Sequence, residues 1–254
     1  MTNASFYLVA VPAVLIYGIS KGGFGAVFGI ISVPLMSLVI SPLQATAIIL
    51  PLLMAMDVLV LKKFWKVYDK RSIALLVPSA TLGVFLGYLT VGAFNDDHAR
   101  LLVGAIALIF GARHFVVNAE KRIDNASQEV KQHTDTVKGV FWGSIAGFTS
   151  FHVHSGGPPV AAYLLPKKLS PIVFAGTTGV FFGLVNWVKL PAFIASGQLS
   201  KDSLLLSLVL LPLVPIGVGL GYRMATKVDV KAYYSIISVA LILMGLRLIY
   251  VSIF

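Results

Sequence analysis

Uninterrupted apolar stretches recur along this chain from end to end. No Lys, Arg, Asp or Glu stands between Met1 and Ser20, Gly22 and Met56, Ser72 and Asn95, or Gly139 and Pro166. A helix of ~20 such residues crosses the hydrocarbon of a bilayer, and it satisfies its own backbone hydrogen bonds there. Several of them in one chain of 254 residues specify a bundle of membrane helices, not a soluble domain with an anchor. Only 12% of the residues are charged, where a soluble domain carries about 25%. The longest polar segment, Asn118 to Lys138, is too short to be a separate soluble domain. The expected fold class is all-α integral membrane.

A net charge of +10 would suit a nucleic-acid partner. The basic residues, however, sit between apolar spans, where the positive-inside rule places them, so nucleic acid is excluded. The absence of cysteine excludes disulfides, thiol chemistry and Cys-ligated metals. Met1 to Ser5 lack the basic region of a cleaved signal peptide, and the first membrane helix is expected from Phe6.

The chain repeats itself. Gly18 aligns with Gly143, Gly22 with Gly147 and Pro34 with Pro159, all at an offset of 125. An insertion around Pro166-Lys167-Lys168 moves the offset to 129, and Ser41-Pro42 then falls on Ser170-Pro171 and Asp57 on Asn186. Gly83-Val84 continues onto Gly217-Val218, Gly87-Tyr88 onto Gly221-Tyr222, and Gly111 with Arg113 onto Gly245 with Arg247. Self-similarity in one order along a whole chain marks an internal repeat. Residues 1–118 form the first transmembrane repeat, 119–138 a cytoplasmic connecting loop, and 139–254 the second repeat.

Each half contains five apolar segments, A to E: 6–20, 24–40, 43–61, 72–92 and 98–117, then 140–152, 157–165, 171–190, 203–223 and 231–253. Segments C, D and E are long enough to span. Val140 to Leu165 must hold both A and B of the second half, and two crossings need ~40 residues. A and B are therefore expected to be short half-helices meeting near the midplane, in the first half as well as the second.

Lys62, Lys63, Lys66, Lys70 and Arg71 follow segment C of the first half. Lys121, Arg122, Lys131 and Lys138 lie in the central loop, Lys167 and Lys168 between B and C of the second half, and Arg223, Lys227 and Lys231 between its D and E. The opposite side holds only Arg100 beside Asp96 and Asp97, and Lys201, with Lys189 at the edge of that last loop. The basic side is cytoplasmic, both termini face outward, and the two repeats have inverted topology. Transporters use this design, with the site at the repeat interface near the midplane.

The A–B junctions should then carry the chemistry. They read Ser20-Lys21-Gly22-Gly23-Phe24-Gly25 and Phe151-His152-Val153-His154-Ser155-Gly156-Gly157-Pro158-Pro159. Irregular backbone at membrane depth lines a polar cavity or is buried in protein. Free amides at the start of each B segment would cradle an anion, with the helix dipole behind them. The expected substrate-binding residues are Lys21, Gly22, Gly23, Gly25, His152, His154, Ser155, Gly156, Gly157, Thr177 and Thr178. An unpaired midplane lysine costs about 2.5–3.5 kcal/mol on insertion scales, so Lys21 needs an anionic partner, unless segment A crosses fully and Lys21 is a cytoplasmic flank. His152 and His154 either bond an oxyanion or carry a proton, or are satisfied by backbone carbonyls. Thr177 and Thr178 offer hydroxyls to substrate or to their own helix. Asp57 is the coupling candidate, its alternative being a pair with Lys62 or Lys63. No metal set and no cofactor is implied.

These glycine and proline patterns resemble the TauE/SafE family of sulfite and organosulfonate exporters, over nearly the whole length. The resemblance rests on Gly22-Gly23-Phe24-Gly25, Val33-Pro34-Leu35 and Ser41-Pro42-Leu43-Gln44-Ala45-Thr46, and in the second half on Gly156-Gly157-Pro158-Pro159, Ser170-Pro171 and Ala175-Gly176-Thr177-Thr178. His152-Val153-His154-Ser155, just upstream of the second glycine run, departs from the family pattern. The resemblance implies a multi-pass exporter of small sulfur oxyanions in the bacterial inner membrane. Its partners would be the anion, the lipid bilayer and, as a candidate, a second copy in a homodimer. Without a G-x-x-x-x-G-K-[ST] motif, a gradient drives it. Competing readings are an anion channel of the same build, a small-carboxylate transporter, and an intramembrane enzyme using His152 and His154.

Overall fold

The computed structural model describes residues 4–91, 97, 101, 104–109, 111–112 and 128–253. Asp96, Arg100, Lys121 and Arg122, used above for orientation, lie outside these, as does most of segment E of the first half. The described residues form helices and no strands. In chain order the α-helices are α1 (Ala4–Gly23), α2 (Ser32–Met36), α3 (Pro42–Lys63), α4 (Lys70–Leu89), α5 (Gln128–Val153), α6 (Gly157–Leu164), α7 (Pro171–Ala195), α8 (Lys201–Leu210), α9 (Leu213–Lys227) and α10 (Val230–Ile253).

Helices α1, α3, α4, α7 and α10 are long and apolar enough to cross a bilayer. Their starts are written in the sequence. Ser41 and Ser170 cap α3 and α7, accepting from the Gln44 and Val173 amides, and a proline follows each cap where no amide is needed. Asp69 caps α4, and Ser200 closes a capping box with Ser203 at α8. Large apolar side chains such as Leu8, Leu38, Trp187 and Leu205 project outward, which suits acyl chains and not water.

Four expectations change. Segment A of the first half is no half-helix, because α1 runs 20 residues, ~30 Å at 1.5 Å per residue. Segment B there is a broken element, a 3₁₀ turn over Phe28–Ile31 leading into five-residue α2, in a stretch rich in glycine and interrupted by Pro34. In the second half B is short, as expected, with eight residues in α6. Segment D of the second half divides into α8 and α9, bent by 53°. Pro212 at the break has no N–H for the Leu208 carbonyl, and its ring crowds that turn. Helix α5 also starts at Gln128, before the expected boundary at 139.

Packing exchanges the two halves. Segment A of each lies on segment D of the other: α1 on α9, and α5 on α4. Glycines let these backbones touch. A β-carbon at Gly23 would overlap the Gly221 carbonyl oxygen, and one at Gly147 would overlap that of Ala80. The two C segments, α3 and α7, pack on each other at the centre.

Candidate functional site

Ionisable side chains meet where α1, α3, α5 and α7 converge. Lys21, near the end of α1, is 2% exposed, and its Nζ donates to the Leu53 carbonyl at 3.1 Å. Leu53 stands halfway along α3, so this charge lies deep despite the full length of α1. The Lys21 Nζ is also 2.7 Å from Asp57 Oδ1, a buried ion pair. Asp57 is held from its other side by Asn186, whose Nδ2 donates to Oδ2 at 2.7 Å. Asp57 therefore pairs with Lys21, not with Lys62 or Lys63. The Asn186 Oδ1 has no hydrogen-bond partner among the described residues.

One turn along α7 from Asn186 stands Lys189, with no exposed surface. Its Nζ reaches the Ser150 carbonyl and Oγ, each at 3.1 Å, and His154 Nδ1 at 2.9 Å. The other imidazole nitrogen, Nε2, lies 3.0 Å from the Thr46 carbonyl of α3. A carbonyl only accepts, so Nε2 carries the hydrogen and Nδ1 presents a lone pair to Lys189. The Tyr17 hydroxyl donates to the His154 carbonyl at 3.0 Å. His154 itself has a left-handed backbone, φ +50°, in the turn between α5 and α6. A β-carbon at Gly157 would meet the Ala26 carbonyl oxygen at 2.6 Å, so the two A–B junctions touch each other.

The structure thus brings together Lys21, Asp57 and His154 from the expected set, and places the others elsewhere. Gly22 and Gly23 face α9, and Gly156 packs on Ala146 and Phe182. Gly25, φ +65°, sits against Phe174 and Thr178, where any side chain would be strained. Ser155 bonds the Val153 carbonyl. The Thr178 hydroxyl donates to Phe174, one turn back in its own helix. Thr177 donates likewise to Val173 and accepts from the Asp69 amide. His152 is turned away, with Nε2 3.3 Å from Thr90 Oγ1 and its ring beside Phe148 and Phe151. The expected cradle of free amides is closed in the first half, where Ser20 accepts from the amides of Phe24, Ala26, Phe28 and Gly29.

Lys189 corrects the sequence reading, which set it at the edge of an outer loop. Segment C of the second half is expected to end at Leu190, but α7 continues through Pro191 to Ala195. Membrane helices tolerate such a proline because neighbouring helices re-satisfy the freed carbonyl. The signal was present in the spacing: Lys189 lies three residues from Asn186, with which the sequence aligns Asp57, and hence on the same helix face.

At the ends of the helices that carry most of the basic residues, Lys167 bridges three elements. Its Nζ is 3.0 and 3.2 Å from the two Asp135 carboxylate oxygens and 3.9 Å from Asp69 Oδ2, and it lies over the Tyr163 ring at 4.3 Å. Arg71 Nε joins Asp135 at 3.2 Å.

Residues 10–248 match the profile of the family described as Sulfite exporter TauE/SafE. This chain belongs to the TauE/SafE family. The match covers nearly all of it, and with five apolar helices of spanning length it makes the protein a multi-pass membrane protein of a transporter family. Comparison with curated proteins and with solved structures gives no match. The TauE/SafE membership fixes the kind of protein. The buried lysines at its centre bear on what such a protein carries.

Proposed function

We propose that this protein is a secondary transporter that exports a small anion, sulfite or an organosulfonate, across the bacterial inner membrane by alternating access about the Lys21–Asp57–Lys189–His154 centre. One observation carries the reading. Two lysines are buried at the middle of the bundle of a TauE/SafE protein, and the one buried carboxylate among the described residues is paired with Lys21. A buried charge is neutralised, paired or functional, and in this architecture the missing partner is the cargo. An inside-negative potential of 100 mV favours the exit of a monoanion by ~2.3 kcal/mol, so export needs no coupled ion.

The inverted repeat is supported by the exchanged packing of A on D, and by Asp57 meeting its repeat partner Asn186 across the two C helices. In this reading the Lys167–Asp135–Asp69 cluster ties together the cytoplasmic ends of elements from both halves and opens when the inward-facing state forms. Small-carboxylate transport is the competing reading, and competition by acetate tests it.

Two measurements follow. Lys21→Ala should weaken substrate binding by about tenfold or more, because Asp57 is then free to cancel the charge of Lys189. Unchanged affinity in a properly inserted variant would remove Lys21 from the site. The orientation is tested with single cysteines in this cysteine-free chain. Gln198→Cys should react with an impermeant thiol reagent from outside intact cells, and Lys70→Cys only after the membrane is opened. The reverse pattern would invert the topology.

A further inference from the structure

The two lysines are not equivalent. Lys21 is neutralised by Asp57, and Asn186 holds that carboxylate in place. Lys189 has three acceptors around Nζ: the Ser150 carbonyl, the Ser150 hydroxyl and His154 Nδ1. An ammonium has three hydrogens to donate, one for each of these groups, and an anion brought against Lys189 favours that charged form. None of the three acceptors carries a negative charge. With Lys189 charged, the cluster sums among the described buried residues to one uncompensated positive charge: Lys21 and Lys189 against Asp57, with His154 neutral.

The three acceptors also differ in how readily they can be replaced. Ser150 belongs to the regular backbone of α5 and its carbonyl is fixed there. His154 stands in the loop after α5, on a left-handed residue held by Tyr17 and Thr46. An imidazole nitrogen on a loop is the acceptor that an incoming oxyanion can displace.

Resting on the transport reading above, we propose that Lys189 is the residue that holds the anion, that His154 Nδ1 occupies the anion's place when none is bound, and that the single uncompensated charge of the loaded centre restricts the cargo to monoanions, a monosulfonate or hydrogensulfite and not the sulfite dianion. A monoanion leaves the buried centre neutral. A dianion leaves it with one negative charge in a medium that solvates charge poorly, and is disfavoured for that reason.

The experiment is thermal stability of the purified full-length protein in detergent, titrated with methanesulfonate and with sulfate at matched ionic strength. Methanesulfonate should bind about tenfold or more tightly than sulfate in the wild type. Lys189→Met should abolish the methanesulfonate shift while the ligand-free protein melts no more than a few degrees from wild type, since an uncompensated charge has been removed. Lys189→Arg keeps the charge and should keep the shift. Asp57→Asn raises the sum to two positive charges and should reverse the preference toward sulfate. A full methanesulfonate shift in Lys189→Met would overturn the role of Lys189. Equal binding of sulfate and methanesulfonate in the wild type would overturn the valence rule and leave an anion site standing. No shift with any anion would overturn the transport reading together with it.

Discussion

Replacing Asp57 with leucine should destabilise the folded protein by about 3–5 kcal/mol, and replacing Lys21 with methionine in the same chain should recover most of that loss. Both partners are almost wholly buried, at 2% exposure each. Removing the carboxylate strands the Lys21 ammonium among Leu53 and the apolar walls of α3, and the desolvation of that charge is then offset by one carbonyl alone. Removing both charges leaves an apolar contact of similar volume, which is commonly neutral or stabilising relative to a buried ion pair. Asn186 is a further check. Its Nδ2 loses its acceptor in Asp57→Leu, a cost of ~1–3 kcal/mol that the second substitution cannot restore. Recovery should therefore be incomplete by about that amount. A double-mutant cycle on the melting or denaturant midpoint, read in the same detergent, measures the coupling. Additive losses would show that Lys21 and Asp57 do not act as a pair.

That pair was half legible in the sequence. Lys21 and Asp57 drew notice because each interrupts an otherwise uncharged stretch, and in a bilayer such a residue has to be compensated. Their partnership was not legible, because nothing local to residue 21 says which face of α3 it meets. His154 was named alongside His152, yet only His154 enters the cluster. A two-residue spacing at the end of a helix sends the side chains in different directions, and the left-handed turn at His154 decides which one points inward. Lys189 was hidden by Pro191, since proline reads as an end in water and is carried through in a membrane helix. The glycines show the opposite ambiguity. Gly22 and Gly23 promised close approach to a ligand, and the close approach they make is to α9. Small residues announce contact without naming the partner. Helix existence followed from the uncharged apolar stretches, and the caps Ser41, Ser170 and Ser200 fix starts that those stretches place to within two residues. The bend in segment D was missed although Pro212 marks it, because 203–223 reads as one apolar run, and the full length of α1 was missed by requiring both halves to match.

Gly221→Leu should prevent stable folding or lower stability by several kcal/mol, while Gly219→Leu, two residues away on the same helix, should be tolerated. A β-carbon at Gly221 would overlap the Ile19 carbonyl oxygen, which is backbone and cannot rotate aside. A β-carbon at Gly219 meets nothing within 4 Å. Overpacking a close contact costs ~1–3 kcal/mol where neighbours can shift, and more where both sides are backbone. The Gly219 substitution instead replaces the poorest of the ordinary helix formers, worth ~0.8–1.0 kcal/mol in its favour, and adds an apolar side chain facing lipid. The consequence reaches the site. α9 is the surface on which α1 rests through Gly18, Gly22 and Gly23, and the position of α1 sets how far the Lys21 Nζ reaches toward Leu53 and Asp57. Pushing α1 off α9 by the width of a side chain must either pull Lys21 from Asp57 or drive α1 into α3. Gly221→Ala should therefore weaken anion binding in whatever fraction still folds, and Gly219→Ala should leave it unchanged. Melting temperatures and anion titrations on the four variants separate the two positions. Equal behaviour of Gly219 and Gly221 would show that the α1–α9 contact does not carry the geometry of the site.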